Sequence, residues 1–132
     1  MMYNKKVMEH FANPHNLKEI KDADGVGRIG NAKCGDVMVV YIKVGKKDGK
    51  EIIEDIGVKT FGCVAAIVSS SATTDLAKGK TLEEAKKISK EDILKELGDL
   101  PDVKKHCSVL AQDGLKKAIE DYENKKNKLH KH

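Results

Sequence analysis

Tryptophan is absent from this chain, and three tyrosines and two phenylalanines are all the benzenoid side chains it has. Its core must therefore be built mainly from Val, Ile, Leu and Ala. No apolar run approaches the ~20 residues that a membrane-spanning helix needs. The opening Met1-Met2-Tyr3-Asn4-Lys5-Lys6 lacks an apolar signal region. These absences predict a cytoplasmic protein with no membrane partner. The chain has only three cysteines. An odd number argues against a closed disulfide framework, and a reducing cytosol would keep all three as thiols. The lysines between Asn124 and His132 have no aromatic residues among them to stack on bases. That stretch therefore reads as a solvated, frayed basic tail and not as a nucleic-acid interface. His130 and His132 within it could bind metal adventitiously.

A chain of 132 residues is long enough to bury one real core, and no internal repeat or interdomain linker divides it. We expect a single domain over residues 1–125 and a basic tail over 126–132. Asn4 to Phe11 reads as a short helix with Val7, Met8 and Phe11 on one side, ended by Asn13-Pro14. Gly25 to Lys33 reads as a first strand weakened by three glycines. Val37 to Val44 alternates like a strand, Asp48-Gly49 marks a hairpin turn, and Glu51 to Phe61 returns with Gly57 as a bulge. Cys63 opens a helix carrying Ala65, Val68, Ala72 and Leu76 at helical spacing and closed by Gly79. Thr81-x-x-Glu84 and Ser89-x-x-Asp92 mark two further helix starts. After a loop at Asp99 to Asp102, a last helix spans Cys107 to Lys125, with Ala111, Leu115, Ala118, Ile119 and Tyr122 as its apolar stripe. Strands first and helices after give an α+β domain, a small antiparallel three-stranded sheet with helices packed on one face.

The cysteines carry the chemistry. They stand as Ala32-Lys33-Cys34-Gly35-Asp36, Thr60-Phe61-Gly62-Cys63 and Lys105-His106-Cys107-Ser108, too far apart for a zinc knuckle or a thioredoxin-like pair. The expected elements put Cys34 in a loop between two strands, Cys63 at a strand-to-helix junction and Cys107 at a helix start. A helix N-terminus stabilises a thiolate, and so do the cationic neighbours of Cys107. Each residue also has a plainer reading. Cys63 fits a small buried hydrophobe, Asp36 an exposed turn residue and His106 a surface histidine. Three readings stand on the residues alone. One is an iron–sulfur or zinc site built from three thiolates with Asp36 and His106 beside them. Another is a cysteine nucleophile with a His–Asp pair, in a hydrolase or transferase. The third is a structural domain with no site. The nucleophile reading leaves two cysteines idle; the metal reading uses all three.

At these positions the chain resembles the iron–sulfur cluster assembly scaffold family of the IscU type, which also forms the N-terminal domain of NifU. The matching segments are Val7-Met8-Glu9-His10-Phe11-Ala12-Asn13-Pro14-His15-Asn16, Cys34-Gly35-Asp36-Val37-Met38, Lys59-Thr60-Phe61-Gly62-Cys63 with Ser69-Ser70-Ser71, and Leu100 through Ala111. They follow one another in the family's order and spacing from about Tyr3 to Tyr122. The resemblance implies a SufE/IscU-like fold and a scaffold, not a catalyst. Such a scaffold accepts persulfide sulfur from a cysteine desulfurase, binds ferrous iron, and passes a [2Fe–2S] or [4Fe–4S] cluster to apo-proteins. It implies Cys34, Cys63 and Cys107 as ligands, Cys107 as persulfide acceptor, and Asp36 and His106 as alternative fourth ligands, with zinc an occupant of the same site. One departure stands out. The family's Leu-Pro-Pro-Val-Lys loop, gripped by a specialised Hsp70 chaperone, here reads Leu100-Pro101-Asp102-Val103-Lys104. A carboxylate replaces a rigid apolar ring, which puts dependence on such a chaperone in doubt. The chain also ends where longer NifU proteins add domains, so a stand-alone scaffold is expected. The zinc-bound SufU type of sulfur acceptor is the nearest alternative. His106 and the compact interval from Cys63 to Cys107 favour the IscU type.

Overall fold

The computed structural model describes residues 5–31, 36–61, 64–98 and 106–130, leaving aside the side chains of residues 6, 31, 36, 61, 64–65, 106–109 and 127–130. Its elements are α1 (Lys5–Ala12), β1 (Gly25–Asn31), β2 (Asp36–Lys47), β3 (Lys50–Phe61), α2 (Val64–Ala77), α3 (Leu82–Lys86), α4 (Lys90–Leu97) and α5 (His106–His130). The three strands form one antiparallel sheet in the order β1-β2-β3. Asp48 and Gly49 both adopt positive φ, at 54° and 80°, between the paired Lys47 and Lys50. That is the geometry a two-residue hairpin needs to match the twist of its strands.

The register gives the sheet one apolar face. Met38 faces Thr60, Val40 faces Val58, Ile42 faces Ile56 and Val44 faces Ile53 across β2 and β3. A register shift between Lys43 and Val44 skips Glu54, so that Ile56 and Ile53 point the same way although three positions apart. The bulge therefore lies at Glu54 and not at Gly57, which pairs with Tyr41 in regular register. Gly57 serves a close approach instead. A Cβ there would stand 2.3 Å from the carbonyl oxygen of Lys18, in the segment that bonds to the strand through Val58 N–H and Asn16 C=O at 3.0 Å.

The helices cover the apolar face. Leu110, Ala111, Leu115, Ala118 and Ile119 of α5 are buried, with Tyr122 packed against them. Thr81 and Ser89 each close a reciprocal capping box, with Glu84 and Asp92. Ser89 thus starts a helix as firmly as the more usual Thr/Glu pair. α2 departs from the expected stripe. Ser69, Ser70, Ser71, Thr73 and Thr74 are buried as fully as Val68 and Ala72. Small hydroxyl residues permit this because Ser70 donates to Ala66 C=O and Thr73 to Ser69 C=O, each at 2.7 Å, so the burial strands no polar group. α1 departs too: Val7 is fully buried, whereas Met8 and Phe11 are exposed, and His10 takes the inward place beside Val7. α5 continues to His130, past the expected end at Lys125. No helix breaker interrupts it there, and the i,i+4 pair of Lys125 with Asp121 at 2.9 Å supports the turn.

One surface network has a pH signature. Tyr122 donates to Glu51, and Lys126 donates to Glu51 at 2.7 Å. These bonds, that of Lys126 above all, hold the Glu51 carboxyl below its usual range. Burial, and then the bond to Glu51, pushes Tyr122 up to about 12. The folded state therefore holds the tyrosine proton more tightly than the unfolded chain does. The corresponding stability is fully present below the unfolded value of ~10 and is lost as pH rises towards 12. Urea unfolding of the parent and Tyr122→Phe across that window should show a stability difference that is constant below pH ~10 and shrinks above it. An unchanging difference would remove the bond to Glu51 as its source.

Candidate functional site

Two of the three glycines that weaken β1 as a strand, Gly25 and Gly27, are what seat α5 against it. A Cβ on Gly25 would lie 2.2 Å from the Ala118 carbonyl oxygen, and one on Gly27 would lie 2.3 Å from that of Gly114. The helix backbone thus lies directly on the strand backbone. A Cβ on Gly114 would in turn meet Val40 at 2.9 Å and Ile29 at 3.9 Å. As numbers rise along β1 they fall along α5, so the start of α5 heads for the end of the sheet where Asn31 pairs with Asp36. From Gly114 back to His106 is ~12 Å of helix, and from Val40 back to Asp36 is ~13 Å of strand. The first turn of α5 therefore comes level with the start of β2. Phe61, the last residue of β3, pairs with Val37 at the same end, and α2 begins at Val64.

The described ends of three elements come together at this end of the sheet: the start of β2, the end of β3 and the start of α5. In sequence Cys34 stands two residues before β2, Cys63 two residues after β3 and Cys107 second in α5. Cys34 and Cys63 lie outside the described residues. The backbones of Asp36 and of His106 and Cys107 are the first residues of β2 and of α5, and their side chains lie outside the described set. Leu100, Pro101, Asp102, Val103 and Lys104 also lie outside it.

A second cluster, which the sequence reading did not single out, is described in full. His10 Nδ1 lies 2.7 Å from Ser71 Oγ, which also accepts the His15 backbone N–H at 2.8 Å. His15 Nδ1 lies 2.7 Å from Asp75 Oδ2, and the two imidazole centroids are 5.0 Å apart. Asn16 Nδ2 donates to Thr74 Oγ1 at 3.0 Å. These bonds tie α1 and the segment after it to α2. His10 and His15 stood in a recognised motif, but nothing in the sequence pattern links them to Asp75, which follows His15 by sixty positions.

Comparison with known proteins decides the family. The family described as NifU-like N terminal domain matches residues 2–129. The chain belongs to the NifU-like N-terminal domain family. It is similar to the iron-sulfur cluster assembly scaffold protein IscU 1 of Archaeoglobus fulgidus, at 55% identity over 98% of this chain and 82% of that protein. It is also similar to the IscU scaffold of Buchnera aphidicola from Acyrthosiphon pisum, at 50% identity over 96% of this chain and 98% of the other. The crystal structure of a NifU-like protein (N-terminal) from Brucella abortus shares the fold, with a TM-score of 0.72, 20% identity, and coverage of 92% of this chain and 94% of that one. The expected NifU-type α+β fold, an antiparallel three-stranded sheet with helices packed on it, is the one observed. Among the described residues no helix of this NifU-like domain is long and apolar enough to cross a membrane.

Proposed function

We propose that this protein is a scaffold on which an iron–sulfur cluster is assembled and from which it is passed to apo-proteins. The observation that carries the reading is 55% identity, across nearly the whole chain, to a protein named as such a scaffold. The start of β2, the end of β3 and the start of α5, which the three cysteines adjoin in sequence, lie at one end of the sheet, and that supports it.

In this reading Cys34, Cys63 and Cys107 supply three thiolates, and Asp36 or His106 completes the set. The Cys107 thiolate attacks the outer sulfur of a cysteine desulfurase persulfide, and the desulfurase cysteine leaves as thiolate. An external donor then supplies the two electrons that turn sulfane sulfur into sulfide. Ferrous iron and sulfide are substrates, and the cluster is cargo. Thiolates bind iron well; a carboxylate or a single imidazole in the fourth place is a weaker anchor. The cluster is therefore exchangeable, as a carrier requires. Zinc suits the same donors and would compete with iron for them.

Asp36 is the release point in this scheme. Asp36→Ala should assemble a cluster and hand it to an apo-ferredoxin more slowly than the parent. Transfer followed by absorbance checks this, and release at the parental rate would count against the role of Asp36.

A further inference from the structure

We propose that His10, His15 and Asp75 form a second divalent-metal site, one that uses no cysteine ligand. One ligand atom from each residue lies within 4.8 Å of the other two. A tetrahedral shell with bonds of ~2.1 Å sets its ligands about 3.4 Å apart, so modest side-chain rotations close the set. The side chains able to rotate are the outer ones: His15 and Asp75 are 46% and 32% exposed. His10 is held by Ser71 at 2.7 Å and is buried, which makes it the fixed wall of the site.

The hydrogen bond that holds His10 suits a metal, whereas the 2.7 Å bond between His15 Nδ1 and Asp75 Oδ2 must open as the metal enters. A metal on His10 Nε2 requires Nδ1 to carry the proton and donate to Ser71 Oγ. That oxygen has two lone pairs, one taken by the His15 N–H and one open to His10. An imidazole that ligates through one nitrogen usually donates through the other to a carboxylate, a backbone carbonyl or water, and the Ser71 hydroxyl oxygen would stand in that acceptor's place. His10 and His15 line an open cavity of about 370 Å³ with Glu9, Ala12 and Asn13, with Asp75 outside that lining, so water has room on the histidine side of the site. Two imidazoles and one carboxylate suit ferrous iron or zinc, and suit calcium or magnesium poorly. The same groups with no metal would serve only to tie α1 to α2, and the two roles make different predictions.

The test is a Zn2+ titration of the full chain, read through the ring-nitrogen NMR signals of each histidine, with anaerobic Fe2+ as a parallel arm. The site predicts that the His10 and His15 signals move together and saturate with zinc, with His10 fixed as the Nδ1–H tautomer. It also predicts that His15→Ala and Asp75→Asn each weaken this phase at least about tenfold. Broadening of the same two signals by Fe2+ would extend the site to iron. Binding at the cysteines or at His130 and His132 leaves the His10 and His15 signals in place, so failure of the scaffold reading is seen separately. The proposal is overturned if those two signals stay still through excess Zn2+, or if both variants bind zinc there as the parent does.

Discussion

Replacing Cys34, Cys63 or Cys107 with serine, one at a time, should cut the yield of reconstituted cluster at least about tenfold in every case. Removing an outer-shell partner already costs 10–100-fold in a metal site, and a direct ligand should cost no less. Serine keeps the volume but offers a neutral, hard hydroxyl where iron needs a soft thiolate. The three variants should part company in sulfur transfer. Cys34→Ser and Cys63→Ser should still take a persulfide on Cys107, visible as added sulfur by mass spectrometry, whereas Cys107→Ser should not. A cysteine nucleophile makes the opposite forecast, in which one cysteine is essential and two are dispensable. Two variants that assemble cluster like the parent would therefore refute the three-thiolate site.

The second large effect concerns the fold that delivers the site. Gly27→Ala should destabilise the protein by about 3 kcal/mol or more, because the added methyl would sit 2.3 Å from the Gly114 carbonyl oxygen and 2.5 Å from the Ala118 nitrogen. Both atoms belong to a helix backbone, which cannot swing aside; α5 must lift off β1 as a body. A melting temperature lower by roughly 10 °C is expected. Gly45→Ala is the control. Its nearest obstacle, 2.8 Å away, is a carboxylate oxygen of Glu54 at the end of a flexible side chain, and Glu54 Cβ at 3.2 Å need give only slightly, so the cost should be far smaller than at Gly27. Equal melting temperatures for Gly27→Ala and the parent would mean that α5 is not seated as described.

Much of the fold could be read from local chemistry, because local chemistry determines it. Asp48-Gly49 has the residues a tight hairpin turn demands, and Thr81/Glu84 and Ser89/Asp92 have the groups a capping box demands. The apolar stripe of α5 also lies where its periodicity put it. What the sequence hid was tertiary. Glycines in β1 lower strand propensity whatever their neighbours; only the presence of α5 shows that they seat a helix. Gly57 looked like a bulge for the same reason, while the true irregularity fell at Glu54, an ordinary residue with no local mark. In α1, Met8 and Phe11 satisfied an apolar pattern, yet His10 is the residue turned inward, because Ser71 on α2 waits there with a hydroxyl. The candidate cysteines came from residue type and family resemblance, and the fold adds only that the start of β2, the end of β3 and the start of α5, which they adjoin in sequence, lie at one end of the sheet. Asp75 could not be joined to His15, sixty positions earlier, or to His10 before it without the packing of α1 on α2.

The central claim is that this chain builds and hands on a cluster. Anaerobic reconstitution with a cysteine desulfurase, cysteine and ferrous iron, followed by incubation with an apo-ferredoxin, tests it most directly. The account predicts that absorbance of a protein-bound cluster appears on this chain and then passes to the ferredoxin. Persulfide on Cys107 with no cluster, or a cluster that never leaves, would contradict it.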